Sequence, residues 1–177
     1  PRGGFAGLVS RERTKPLIAA VDGPALAGGT EIVLACDLVV ASREARFGVP
    51  EVKRSLVAAA GGLFRLAQKL PPNVATELVL TGDPIPAERA HHFGLVNVLC
   101  EPGGALDAAM ELAGRIEANA PLAVRESLAV VRAARGVDDA TGFRLSNEAF
   151  ARLVATEDYA EGVRAFLAKR TPEFRWS

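Results

Sequence analysis

Cysteine is scarce in this chain, and charge of one sign is missing. Only Cys36 and Cys100 occur among 177 residues, far apart and each in an apolar run. Neither a disulfide framework nor a cysteine-based metal site is therefore expected. The two read as buried free thiols in a reducing compartment, with a cytoplasmic location as the expectation. Lys+Arg and Asp+Glu both number 21, so no net charge points to a polyanionic partner. No basic stripe argues for nucleic acid or an anionic membrane surface. No apolar run reaches bilayer length, and no signal peptide is expected. Repeats and low-complexity tracts are lacking. Gly28-Gly29 is not followed by the Lys-Ser/Thr of a P-loop, and the dinucleotide glycine pattern is absent. His91 and His92 are neighbours, so on a helix they face different ways, with no cysteine or acidic cluster near them in sequence. No metal site is expected.

What is present is a globular composition, 49% hydrophobic and 24% charged, which gives no indication of disorder. Residues 1–14 alternate glycine and charge and read as a loop or a fraying helix. Leu17 to Val21 is a short apolar run between Pro16 and Asp22-Gly23-Pro24, the pattern of a buried strand. A helix over about 28–36 follows, then a second buried strand over 38–41 and a short one over 45–47. Strand, glycine-rich turn, helix, strand is an α/β pattern. Residues 52–62 read as a connection. Helices are expected at about 61–70, 73–80 and 87–93, and a strand at 95–99. From about 104 onward the pattern is helical: 106–118, Pro121 to about Ala134, a third helix from Asp138/Asp139 that buries Phe143, Phe150 and Val154, and a fourth capped by Thr156. The composition changes near 100–105, which sets expected boundaries of 1–104 and 105–177.

Two carboxylates carry the chemical interest. Glu31 enters an otherwise apolar helix, where a charge is costly without a partner or a role. Glu51 follows Phe47-Gly48-Val49-Pro50; in isolation it fits a solvated loop. Gly28-Gly29 at the helix start leaves backbone N–H groups free to stabilise a developing oxyanion. It fits equally a tight turn or close strand–helix packing. By pattern alone Phe150 and Phe166 are core aromatics and Lys169 is a helix-end lysine.

The stretch from Lys15 to Glu31, KPLIAAVDGPALAGGTE, resembles the signature of the enoyl-CoA hydratase (crotonase) family. Ala35-Cys36-Asp37-Leu38, Phe47-Gly48-Val49-Pro50-Glu51, Leu80-Thr81-Gly82-Asp83, Gly94-Leu95-Val96 and Glu161 to Arg170 keep its order, and the resemblance covers nearly the whole chain. It implies an α/β fold, the C-terminal part of a crotonase-like spiral of ββα units followed by an α-helical trimerisation region. It implies an acyl-CoA thioester as substrate, no separate cofactor because coenzyme A is part of that substrate, and a homotrimer or a dimer of trimers. Further residues ahead of Pro1 would carry the first turns of the spiral, the second oxyanion donor and much of the adenine pocket. Residues 1–177 alone are then expected to be poorly active unless complemented.

The resemblance assigns Gly28 to one of two N–H groups that bind the thioester oxygen. Hydratases of the family have glutamates at the positions of both Glu31 and Glu51, whereas isomerases and dehalogenases typically keep one or neither. Glu31 is expected to activate water and Glu51 to protonate Cα. Phe150, Phe166 and Lys169 match positions around the coenzyme A tail, the lysine near the nucleotide phosphates of a neighbouring subunit's ligand. Two departures stand out. Ala58-Ala59-Ala60 replaces a common Gly or Pro-Gly, so that Ala59 bears on the substrate pocket, and Ser55 replaces a common glycine. An isomerase and a non-catalytic acyl-CoA-binding protein are the competing readings.

Overall fold

The computed structural model describes residues 2–176. The Leu17–Val21 run gives β1 (Ile18–Val21), and the Asp22-Gly23 turn leads directly into a second strand, β2 (Pro24–Leu26), which pattern reading takes for part of the turn. Helix α1 (Gly28–Ala35) follows, then β3 (Leu38–Ser42), β4 (Arg46–Gly48), a 3-10 helix over Pro50–Arg54, α2 (Gly62–Lys69) and α3 (Pro72–Thr81). After β5 (Ile85–Pro86) and α4 (Ala87–His92) comes β6 (Val98–Cys100). Leu95 and Val96, expected in that last strand, lie before it and are buried.

The strands alternate between two sheets. β1, β3 and β6 form one, with β3 central and all pairs parallel; Ile18 lies opposite Leu38 and Val40 opposite Val98. β2, β4 and β5 form the other, with Ala25 opposite Phe47 in a parallel pair and Phe47 opposite Ile85 in an antiparallel one. Two ββα units, β1-β2-α1 and β3-β4 with its helices, thus stack and each gives one strand to each sheet, with β6 and β5 extending the two sheets. The core between them holds Leu34, Val39, Phe47, Leu66, Leu78 and Val96, all nearly or fully excluded from solvent.

Thr30 fixes α1 to the second sheet. Its fully buried hydroxyl accepts the Gly48 N–H at 2.9 Å, and its single proton is shared between the carbonyls of Ala25 and Gly48. Thr30→Val keeps the shape but leaves the Gly48 N–H without an acceptor. It is expected to cost about 1–3 kcal/mol, read as a fall in unfolding free energy by denaturant titration.

The chain divides into two compact units, residues 1–113 and 114–177, with the change inside α5 (Ala105–Glu117) and not at the composition change near 104. The second unit contains α6 (Pro121–Ala133), α7 (Asp139–Val154) and α8 (Glu157–Leu167). Asp138 caps α7 by accepting the Thr141 N–H, and Thr156 caps α8 by accepting that of Tyr159.

Two expectations about burial are corrected. Phe143, Phe150 and Val154 are 70%, 59% and 41% exposed, and Phe166 is 82% exposed, so none of them is a core residue of this chain. Helical periodicity identifies an apolar face but not whether the same chain covers it. Cys36 is buried as expected, and burial pushes its thiol up; Cys100 is only half-buried.

Beyond α8 the chain turns back. Glu161 takes both guanidinium nitrogens of Arg170 and the Glu173 N–H. The Arg170 fork, then the Glu173 N–H, hold its carboxyl down at about 2 against an ordinary 4.5. Above 4.5 the group is ionised folded or unfolded, and the clamp contributes in full. As the pH falls from 4.5 to about 2 the unfolded chain binds the proton first and that contribution is lost. In a series of melts across this window, Glu161→Gln is expected to show a smaller fall in Tm than the parent protein.

Candidate active site

The two predicted carboxylates stand on α1 and on the 3-10 helix that follows β4. Glu31 stands in the first turn of α1 and is 4% exposed. Its Oε1 accepts the N–H of Gly62 at 2.9 Å. Gly62 is the first residue of α2, so the carboxylate faces a helix N-terminus, where negative charge is favoured. One oxygen of Glu31 is therefore fixed by backbone.

Glu51 sits in the first turn of the 3-10 helix over Pro50–Arg54, which the sequence reading takes for a loop. Its Oε2 is buried and finds no hydrogen-bond partner among the described residues. A buried polar oxygen without a partner is costly, and such groups concentrate where function needs them. Glu51 lines a cavity of about 190 Å³ with Val49, Val52, Leu56, Leu63 and Leu80. Ala58 joins the two carboxylates' surroundings: it lines that cavity, and a Cβ built on Gly62 would lie 2.6 Å from the Ala58 Cβ and 3.1 Å from Glu31 Oε1.

Gly28 opens α1, and by position its N–H has no acceptor within the helix. The preceding Ala27 holds φ 53° and ψ −125°, a conformation that costs a non-glycine residue of order 1–3 kcal/mol. The strain is sustained by hydrogen bonds on both sides: Ala27 N–H reaches Gly48 O across to β4 at 2.9 Å, and Ala27 O accepts the first helical bond, from Glu31 N–H, at 3.1 Å. The ring of Phe5 lies where a Gly28 side chain would project, 2.6 Å from a Cβ built there, so a larger residue requires that ring to move.

Ser55, noted in sequence as replacing a glycine, adopts φ 58° and ψ 32° at the end of the 3-10 helix, a left-handed position that glycine occupies without strain. Ala59 is exposed, and it is the neighbouring Ala58 that lines the cavity. His91 donates from Nδ1 to the Val96 carbonyl at 2.9 Å, and His92 packs edge-on against Phe93.

Phe150, Phe166 and Lys169 belong to the second unit. The Phe150 ring meets that of Tyr159 edge-on at 6.3 Å. Phe166 joins Leu122, Leu153, Val163 and Phe174 around an apolar cavity of about 400 Å³. Lys169 follows α8 with φ 50°, and its ammonium makes no hydrogen bond or ion pair with the described residues.

Sequence reasoning missed Thr30 and Gly62, and within Ala58-Ala59-Ala60 it singled out Ala59 where Ala58 lines the cavity. The Gly61-Gly62 pair before an amphipathic run was a visible signal for a close backbone approach. Nothing local in sequence links Gly62 to Glu31.

Stacked ββα units that bury Glu31 against the N-terminus of α2, with half-buried Glu51 lining an apolar cavity, belong to a crotonase-type α/β fold. The profile of the enoyl-CoA hydratase/isomerase family matches residues 9–176, and the chain belongs to that family. It is 42% identical over 168 residues to an enoyl-CoA hydratase of Mycobacterium tuberculosis, covering 95% of this chain and 63% of that protein. It is 40% identical over 161 residues to the 2,3-dehydroadipyl-CoA hydratase of Escherichia coli, covering 91% of this chain and 63% of that protein. A crystal structure of an enoyl-CoA hydratase from Mycobacterium tuberculosis superposes with a TM-score of 0.96 at 50% identity, over 100% of this chain and 70% of the other. The chain thus spans about 63% of the length of these curated relatives. Among the described residues, no helix is long and apolar enough to cross a membrane.

Proposed function

We propose that the protein adds water across the double bond of a trans-2-enoyl-CoA to give the 3-hydroxyacyl-CoA. The observation that carries this reading is the carboxylate pair: Glu31 buried and fixed by Gly62, and Glu51 with a buried, unpartnered oxygen facing an apolar cavity. An isomerase needs one base, and a binding protein needs neither group.

In this reading both carboxylates hold the attacking water. Glu31 takes a proton from it as its oxygen bonds to C3. The C2–C3 π electrons move toward the thioester, whose oxygen gains negative charge and is met by the Gly28 N–H at the start of α1. Glu51, acting as the general acid, delivers a proton to C2. Exchange of a proton between the pair through the next water restores both groups. Coenzyme A enters as part of the substrate.

The Glu51 cavity also bears on the acyl group. The residues lining it are aliphatic apart from Glu51, and none is a cation that would match a terminal carboxylate. A short hydrocarbon chain fits this lining. A dicarboxylic chain, of the kind in the name of the Escherichia coli relative, would bring a carboxylate into an aliphatic lining with no cation to match it. The exposed Phe143, Phe150 and Phe166 support assembly into a homotrimer or dimer of trimers, with Phe150, Phe166 and Lys169 near the coenzyme A tail. Initial rates of the full-length protein on crotonyl-CoA, a longer 2-enoyl-CoA and 2,3-dehydroadipyl-CoA test the reading. Faster turnover of crotonyl-CoA supports it, and preference for the dicarboxylic ester contradicts it.

A further inference from the structure

Lys169 occupies a backbone position that lysine disfavours. The end of α8 closes with Arg170 N–H on Ala165 O at 3.1 Å and Lys169 N–H on Phe166 O at 3.2 Å. This closure requires a left-handed residue between helix and tail, and glycine is the usual choice. Lys169 holds φ 50° there, where its Cβ is crowded against backbone. An ammonium without a polar partner among the described residues stands at the apex of this reversal.

The tail beyond is held at many points. Arg170 meets Glu161 through both nitrogens, at 2.5 and 2.9 Å. The Glu173 N–H reaches the same carboxylate at 3.0 Å, and the N–H groups of Arg175 and Trp176 reach the buried Asp158 at 2.7 and 3.1 Å. Asp158 and Glu161 are three residues apart and so share one face of α8. Two successive carboxylates therefore draw residues 170–176 back along the helix. The fork also satisfies Glu161, with Arg164 at 3.5 Å adding to it, so that carboxylate does not compete for Lys169.

We propose that Asp158, Glu161 and Arg170 form a positioning clamp that holds the Lys169 ammonium outward for a phosphate of coenzyme A. The inference rests on the reading of Lys169 as a coenzyme A contact and adds the device that presents it. Glu161 and Arg170 touch no ligand in this account; they act through the backbone of Lys169.

The test is a double-mutant cycle on the full-length protein, with free coenzyme A as the probe and calorimetry as the readout. Lys169→Ala is expected to weaken binding by roughly two- to fivefold, the loss of one exposed charge contact. Glu161→Ala is expected to weaken it by a similar factor, and the double variant by no more than Lys169→Ala alone. Arg170→Ala breaks the same tie from the other side, so the cycle can be closed even if Glu161→Ala folds poorly. A clamp that merely caps the helix lowers Tm and leaves affinity unchanged, or gives losses that multiply in the double variant; either result overturns the proposal while coenzyme A binding stands. Parent protein that does not bind coenzyme A at all overturns the reading of Lys169 and the clamp with it.

Discussion

Glu51→Gln is expected to lower turnover of a trans-2-enoyl-CoA by about two to four orders of magnitude, the usual contribution of a positioned general acid. Stability should barely change. Glu51 Oε2 makes no hydrogen bond among the described residues, so the amide breaks none there. The side chain keeps its size in the apolar cavity and loses only the ability to exchange a proton. Loss of enoyl absorbance measures the rate, and a melt alongside it separates chemistry from folding. The same variant discriminates the competing activity. An isomerase that moves a proton with Glu31 alone would keep most of its turnover, and a near-normal rate in Glu51→Gln would favour that reading.

Gly62→Ala is expected to damage both stability and activity through one methyl group. The new Cβ would lie 2.6 Å from the Ala58 Cβ, closer than carbon atoms pack, and 3.1 Å from Glu31 Oε1. Either the start of α2 moves or the Ala58 segment does. The cost is about 1–3 kcal/mol, typical of an extra methyl in a packed interior. The Gly62 N–H that fixes Glu31 is displaced with it. A shift of about 1 Å in a catalytic group is worth on the order of a hundredfold in rate. Pairing the change with Ala58→Gly removes the nearest clash. The double variant should therefore regain most of the lost stability and a large part of the rate. Unchanged kinetics in Gly62→Ala would show that the position of Glu31 does not depend on this contact.

The order of strands and helices was legible because the apolar runs are short, continuous and bounded by proline and glycine. What escaped the reading was structure built by backbone geometry at turns. β2 is three residues long and lies inside a Gly-Pro turn, and the Pro50–Arg54 3-10 helix carries mixed residues with no periodicity. Both carboxylates were visible as anomalies, Glu31 in an apolar helix and Glu51 after Val-Pro. The partner of Glu31 was not, since Glu31 meets Gly62 thirty-one residues away. The exposed Phe143, Phe150 and Phe166 mark the other limit. An amphipathic helix announces an apolar face, and only the fold shows that this chain leaves it open. The strained Ala27 and Lys169 were invisible in sequence, because alanine and lysine give no sign of a positive φ.

The most direct measurement is the mass of the product formed from crotonyl-CoA by the full-length protein. The account predicts a product heavier by one water molecule, carrying the heavy oxygen when the reaction is run in water labelled with it. A product of unchanged mass, or no product while coenzyme A is still bound, would contradict hydration as the function of the Glu31–Glu51 pair.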